Sequence, residues 1–162
     1  MSDNNRMETE VDLLTGLMNH RAFLEHLEMT TKADAPLSVL LLGLDHLMRF
    51  NHDFGHVVGD SVLCGIARTL QQNIHEAGVV SRYGGNQFAI LLPRTTFGEA
   101  KAIAERTSAS VSIFPWSTRA MTASIGVASL PTRTGPGRDL VDAAEKALRA
   151  AKMAGGDCIR PI

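Results

Sequence analysis

An α+β fold, with helices covering a central antiparallel sheet in a ferredoxin-like arrangement, is predicted by three features of the sequence. Leu37 to Leu42 is a continuous apolar run between Pro36 and Gly43, which suits a strand buried on both faces. Arg82-Tyr83-Gly84-Gly85-Asn86-Gln87-Phe88 joins two apolar runs through a glycine pair and reads as a hairpin tip. Around them the periodicity gives the order strand, helices, hairpin, helix, strand, helix.

Residues 1–11 are polar and acidic without periodicity and are expected to be a flexible arm or the end of a linker, leaving 12–162 as one domain. Asp12 to Leu17 is a compact turn. Asn19 then caps a first helix that buries Phe23 and Leu27 and ends before Pro36. After the first strand, Asp45 to Asp60 is expected to form a short helix and then a loop. Asp60 would cap the next helix, in which Leu63, Ile66, Ala67, Leu70 and Ile74 recur at helical spacing. At the hairpin, Gly84-Gly85 is expected to supply the positive φ of a tight primed turn. Thr96 and Glu99 form a capping box opening a helix through Ala100, Ile103 and Ala104. Met121 to Leu130 alternates as a strand, Pro131 to Gly137 is a loop, and Leu140, Ala144, Ala147, Leu148 and Ala151 stripe a last helix before Gly155-Gly156. A short final strand includes Cys158 and Ile159.

Composition excludes several function classes. A formal net charge of -1 among 20% charged residues gives no broad footprint for nucleic acid or anionic lipid. The longest apolar run is too short to span a bilayer, so no direct membrane insertion is expected. Cys64 and Cys158 lack metal-like spacing and read as free thiols of a cytoplasmic protein. If the strand after the hairpin pairs antiparallel with the first, Asn86 and Gln87 come beside Gly43, Leu44 and Asp45, and that junction is where a site would be built.

Five pieces, in order, carry a family resemblance: Asp12-Leu13-Leu14-Thr15-Gly16-Leu17-Met18-Asn19; Asn51 with Gly55-His56 and Gly59-Asp60; Arg82-Tyr83-Gly84-Gly85; Thr122-Ala123-Ser124-Ile125-Gly126-Val127; and Ala147-Leu148 with Ala151-Lys152. Together they resemble the GGDEF domains of bacterial diguanylate cyclases, which are similar in fold to nucleotide-cyclase cores and polymerase palms. The resemblance implies condensation of two GTP molecules, one on each of two facing domains, to cyclic di-GMP. It also implies divalent cations held by hard oxygen ligands. In the family those ligands come from an Asp ending the first strand and from the acidic third position of the signature.

Here those two positions are Gly43 and Asn86, and Gln87 replaces the glutamate that follows in the signature. A Lys expected three residues after Asp45 is Met48, and an Arg expected four residues after Lys152 is Gly156. The product-binding Arg-x-x-Asp is replaced by His75-Glu76-Ala77-Gly78, so no product-inhibition site is expected. Asn51 and Asp60 match the family's guanine-contacting residues, and a carboxylate with an amide beside it suits the guanine edge. Lys152 is all that remains of the phosphate-contacting basic set.

The expectation is therefore a catalytically degenerate domain with no catalytic residue, no cofactor and Asn51, Asp60 and Lys152 as nucleotide contacts. Magnesium enters only if residual cyclase activity exists, and Asp45 is then its one weak candidate ligand. Expected partners are a guanine nucleotide, a protein or other signalling domain, and a second copy of the chain; nucleic acid is not among them. Plainer roles stand beside these: Asp60 as a helix cap, Lys152 as a solvated helix end, and Arg82 and Tyr83 as supports of the hairpin. His52 and His56 have the i, i+4 spacing of a metal pair, but His56 is already explained by the family pattern. A weak cyclase and a nucleotide-free dimerisation scaffold are the alternatives.

Overall fold

The computed structural model describes residues 10–130 and 136–162. Most of the expected arm, and the core of the loop expected at Pro131 to Gly137, lie outside the described residues. The elements are α1 (His20–Thr30), β1 (Leu37–Leu44), α2 (Leu47–Phe54), α3 (His56–Ile74), a 3-10 turn (His75–Ala77), β2 (Val79–Arg82), β3 (Gln87–Pro93), α4 (Phe97–Ser112), β4 (Ala123–Leu130), α5 (Gly137–Met153) and β5 (Ile159–Pro161). The sheet order is β2-β3-β1-β4-β5, antiparallel except for the parallel edge pair of β4 and β5. This is the α+β architecture the sequence predicts.

β1 is central and every one of its residues is buried. Because side chains alternate across a strand, Leu40, Leu42 and Leu44 face α3 and α4, packing with Ile66, Leu70, Ala100 and Ala104. Val39 and Leu41 face the other way, against Phe23 and Leu27 of α1 and Leu140, Ala144 and Leu148 of α5. The continuous apolar run thus reflects a strand with helices on both sides. Two of the three expected caps are in place. Asn19 Oδ1 accepts from Ala22 N at 2.9 Å, and Thr96 N donates to Glu99 Oε2 at 2.8 Å in a complete capping box. Asp12 Oδ2 accepts from both the backbone N and the hydroxyl of Thr15, which closes the first turn.

Two local expectations are corrected. Asp60 does not cap α3, because the helix begins four residues earlier at His56. Gly55, at φ 89, turns the chain between α2 and α3 within one residue, a backbone state that only glycine reaches without strain. No loop intervenes, and Asn51 lies on α2 rather than in one. Second, Gly84 and Gly85 are not among the glycines with positive φ. The tip is a wider turn in which Gln87 O accepts from Tyr83 N and Gly84 N at 2.9 and 3.2 Å. Arg82 holds it closed, donating from Nε to Gly84 O at 2.7 Å and from Nη2 to Gly85 O. The same guanidinium lies 3.5 Å from Asp12 Oδ2 and over the Phe88 ring, the supporting role expected of it.

Candidate functional site

The sheet register brings the predicted junction together. Gly43 pairs with Gln87, Leu44 N donates to Asn86 O at 3.2 Å, and Asn86 Nδ2 donates back to Leu44 O at 3.2 Å. The tip is tied to α5 by Tyr83, whose hydroxyl donates to Glu145 Oε1 at 3.0 Å. Burial pushes the Tyr83 phenol up, and the Glu145 carboxylate pushes it further, so it remains a donor.

Asp45 follows β1 and is 4% exposed. Its Oδ1 accepts from Ser124 Oγ and Lys152 Nζ, both at 2.8 Å, and its Oδ2 from Thr122 Oγ1 at 2.6 Å and Asp157 N at 2.8 Å. Burial alone would push this carboxyl up; hydrogen bonds from Lys152, Thr122, the Asp157 backbone and Ser124 outweigh it and hold the carboxyl below its usual value. The charge is therefore kept, directed into the interior. Lys152, read from the sequence as a solvated helix end or a phosphate contact, is turned inward. Its ammonium also donates to Gly43 O at 3.0 Å and Leu44 O at 2.8 Å, which with Asp45 uses all three of its protons.

A second group forms where α2 meets α3. Asn51 packs its amide against Gly59, so closely that a Cβ there would overlap Asn51 Oδ1. That oxygen is buried with no hydrogen-bond partner among the described residues. Asp60, next on α3, is exposed and makes no hydrogen bond or ion pair among the described residues. Since Asp60 is not a cap, the plain structural explanation for it falls away.

Several other groups surround these two. Thr122, Ser124 and Asp157 complete the Asp45 network. The i, i+2 spacing of Thr122, just before β4, and Ser124 on it is the signal that could have found two of them. Arg149 lines a cleft of about 370 Å3 with Gln87, Glu145, Leu148 and Lys152, one helical turn before Lys152. A second cleft, of about 410 Å3, lies on the β4 side of Asp45 among His46, Arg49, Phe50, Arg119 and Thr122. Met48 stands 87% exposed where a basic residue was expected. His75 and Glu76 are exposed on the 3-10 turn. Cys64 and Cys158 are free thiols.

Magnesium requires hard oxygen ligands in near-octahedral array, chiefly carboxylates. The residues present do not fit it. Gly43 offers no side chain, Asn86 presents its Nδ2 to Leu44 O, and that carbonyl already accepts from two donors. Both oxygens of Asp45 are occupied as well. Among the described residues there is no group of three His, Cys, Asp or Glu placed to hold a metal, and His52 and His56 lie on different helices. No helix among them is long and apolar enough to cross a membrane.

Comparison with known proteins agrees with the geometry. The family model described as diguanylate cyclase, GGDEF domain matches residues 9–158. Diguanylate cyclase DgcP of Pseudomonas aeruginosa is 32% identical over 96% of this chain, and cyclic di-GMP phosphodiesterase NbdA of the same organism is 31% identical over 93%. The chain spans 24% and 20% of the lengths of these two relatives. The coiled coil and GGDEF domain of DgcB from Caulobacter crescentus, solved in complex with c-di-GMP, superposes with a TM-score of 0.91 at 27% identity, covering 99% of this chain and 90% of that one. Sequence, sheet register and likeness to solved structures converge, and the chain belongs to the GGDEF-domain family of the diguanylate cyclases.

Proposed function

We propose that this domain is a catalytically silent GGDEF domain that serves as a regulatory or interaction module in cyclic di-GMP signalling and keeps a weak guanine-nucleotide site. One observation carries this reading. The junction of β1 and β3 has no carboxylate at Gly43, Asn86 or Gln87, and Asp45, two residues past Gly43, is saturated from within. The nucleotide contacts left are Asn51 and Asp60, which suit a base rather than a triphosphate. That one relative, of which this chain spans 20%, is named a cyclic di-GMP phosphodiesterase is compatible with a role other than synthesis. Partners on this reading are a guanine nucleotide, another protein or signalling domain, and a second copy of the chain.

The test is product analysis of pure protein incubated with GTP and magnesium or manganese, alongside calorimetry with GTP, GDP and cyclic di-GMP. No cyclic di-GMP is expected, and GTP binding is expected to be weak and to change less than about tenfold with magnesium. Cyclic di-GMP formation that disappears in Asp60→Ala would sink the proposal. It would establish instead the second reading, a weak cyclase, which the likeness to DgcP favours.

A further inference from the structure

We propose that the end of β1 is an oxygen cage whose resident cation is the protein's own Lys152 ammonium, and that this tethered charge excludes divalent metal from the junction. This deepens the functional reading above and rests on it only in treating the junction as the emptied site. The cage consists of Gly43 O at 3.0 Å, Leu44 O at 2.8 Å and Asp45 Oδ1 at 2.8 Å. Two backbone carbonyls and one buried carboxylate are the oxygen types that hard cations select. Here they match the three protons of one ammonium, one acceptor to each.

Gly43 lies against the ammonium. A Cβ at that position would stand 3.0 Å from Lys152 Cε and 3.2 Å from Nζ, so a side chain there would press on the lysine tip and shift it by a few tenths of an ångström. At residue 43 a carboxylate is absent and the Lys152 ammonium lies beside the vacant position, so a ligand is missing and a competitor stands next to it. Because the ammonium is tethered to α5, a metal ion in solution competes against an intramolecular occupant with a high effective concentration.

The experiment is a manganese titration, read by loss of the free-ion electron paramagnetic resonance signal, of the parent, Lys152→Met, and Lys152→Met combined with Asp45→Asn. Lys152→Met is expected to bind one ion at least about tenfold more tightly than the parent, and the added Asp45→Asn is expected to abolish that gain. Equal binding by parent and Lys152→Met overturns the proposal, as does a gain that survives Asp45→Asn. If Lys152→Met is unfolded without metal, millimolar manganese is expected to restore its circular dichroism, and failure to do so also overturns it. The parent gives an independent measure: its Lys152 ammonium is expected to yield a slowly exchanging 15N resonance that Gly43→Ala broadens. An ammonium exchanging as fast as the exposed Lys101 would mean that no cage exists. Cyclic di-GMP synthesis by the parent would defeat the functional reading without altering the titration, so the two failures can be told apart.

Discussion

The end of β1 and the corner between α2 and α3 are both polar, yet their unfilled valences differ sharply. At the end of β1, Asp45 accepts four hydrogen bonds and Lys152 donates three, so each group's capacity is met by the protein itself. At the corner, Asn51 Oδ1 is buried without a donor and Asp60 stands in solvent without a partner among the described residues. A buried acceptor without a partner is a standing free-energy penalty that a bound donor relieves. One region has been closed into structure, and the other is left with polar groups that the described residues do not satisfy.

Substitution at Asp45 should break this contrast with the largest effect. Asp45→Asn removes the charge that balances Lys152, and a loss of roughly 3 kcal/mol is expected in urea unfolding. That is the lower end of the range for breaking a buried pair, because the Lys152 side chain remains partly exposed to water. The pH dependence follows in sign. The Asp45 carboxyl titrates below its usual value of 3.8 when folded, so its contribution is fully present above that pH and is lost as pH falls through the folded-state value. The stability gap between parent and Asp45→Asn should accordingly narrow in acid. A gap that widens in acid would mean that the network does not hold the ionised form.

Gly59→Ala sharpens the comparison from the other side. Its Cβ would overlap Asn51 Oδ1, so the amide must move, and a loss of about 1–3 kcal/mol is expected together with loss of guanosine-dependent chemical shifts on α2. Asp60→Ala should show the smallest stability change, within about 0.5 kcal/mol, because nothing among the described residues leans on that carboxylate. Its effect should appear only in guanosine titrations. A large loss of stability in Asp60→Ala would return Asp60 to a structural role.

Much of this was legible in the sequence because it depends on local pattern. The run from Leu37 and the tip at Gly84-Gly85 fixed the neighbours β1 and β3, and with them the approach of Asn86 and Gln87 to Gly43. Asp60 was misplaced because an Asp ahead of an apolar helical stripe looks like a cap, whereas a single residue, Gly55, already separates the two helices. The glycine pair misled in the opposite direction, since Arg82 closes the tip through carbonyls and no positive φ is needed there. Lys152 could not be read at all from local pattern. A lysine at a helix end is ordinarily solvated, and only the tertiary fold brings it to acceptors more than a hundred positions away. The same distance hid an obstacle to restoring an Arg at Gly156. That glycine has φ 81, and a Cβ on it would stand 3.0 Å from Asp45 Cγ.

The span of the Asp45 network also bears on how the chain folds. Its bonds reach 77 residues to Thr122 and 112 to Asp157, so it closes only after β4 and the turn following α5 have arrived. Contacts of such sequence separation carry the full entropy of loop closure and are expected to form after the rate-limiting step. In a chevron experiment Asp45→Asn should leave the refolding limb nearly unchanged and raise the unfolding rate, a φ-value near zero. The ion pair would then act as a latch on the finished domain, setting how long it stays folded rather than how quickly it gets there.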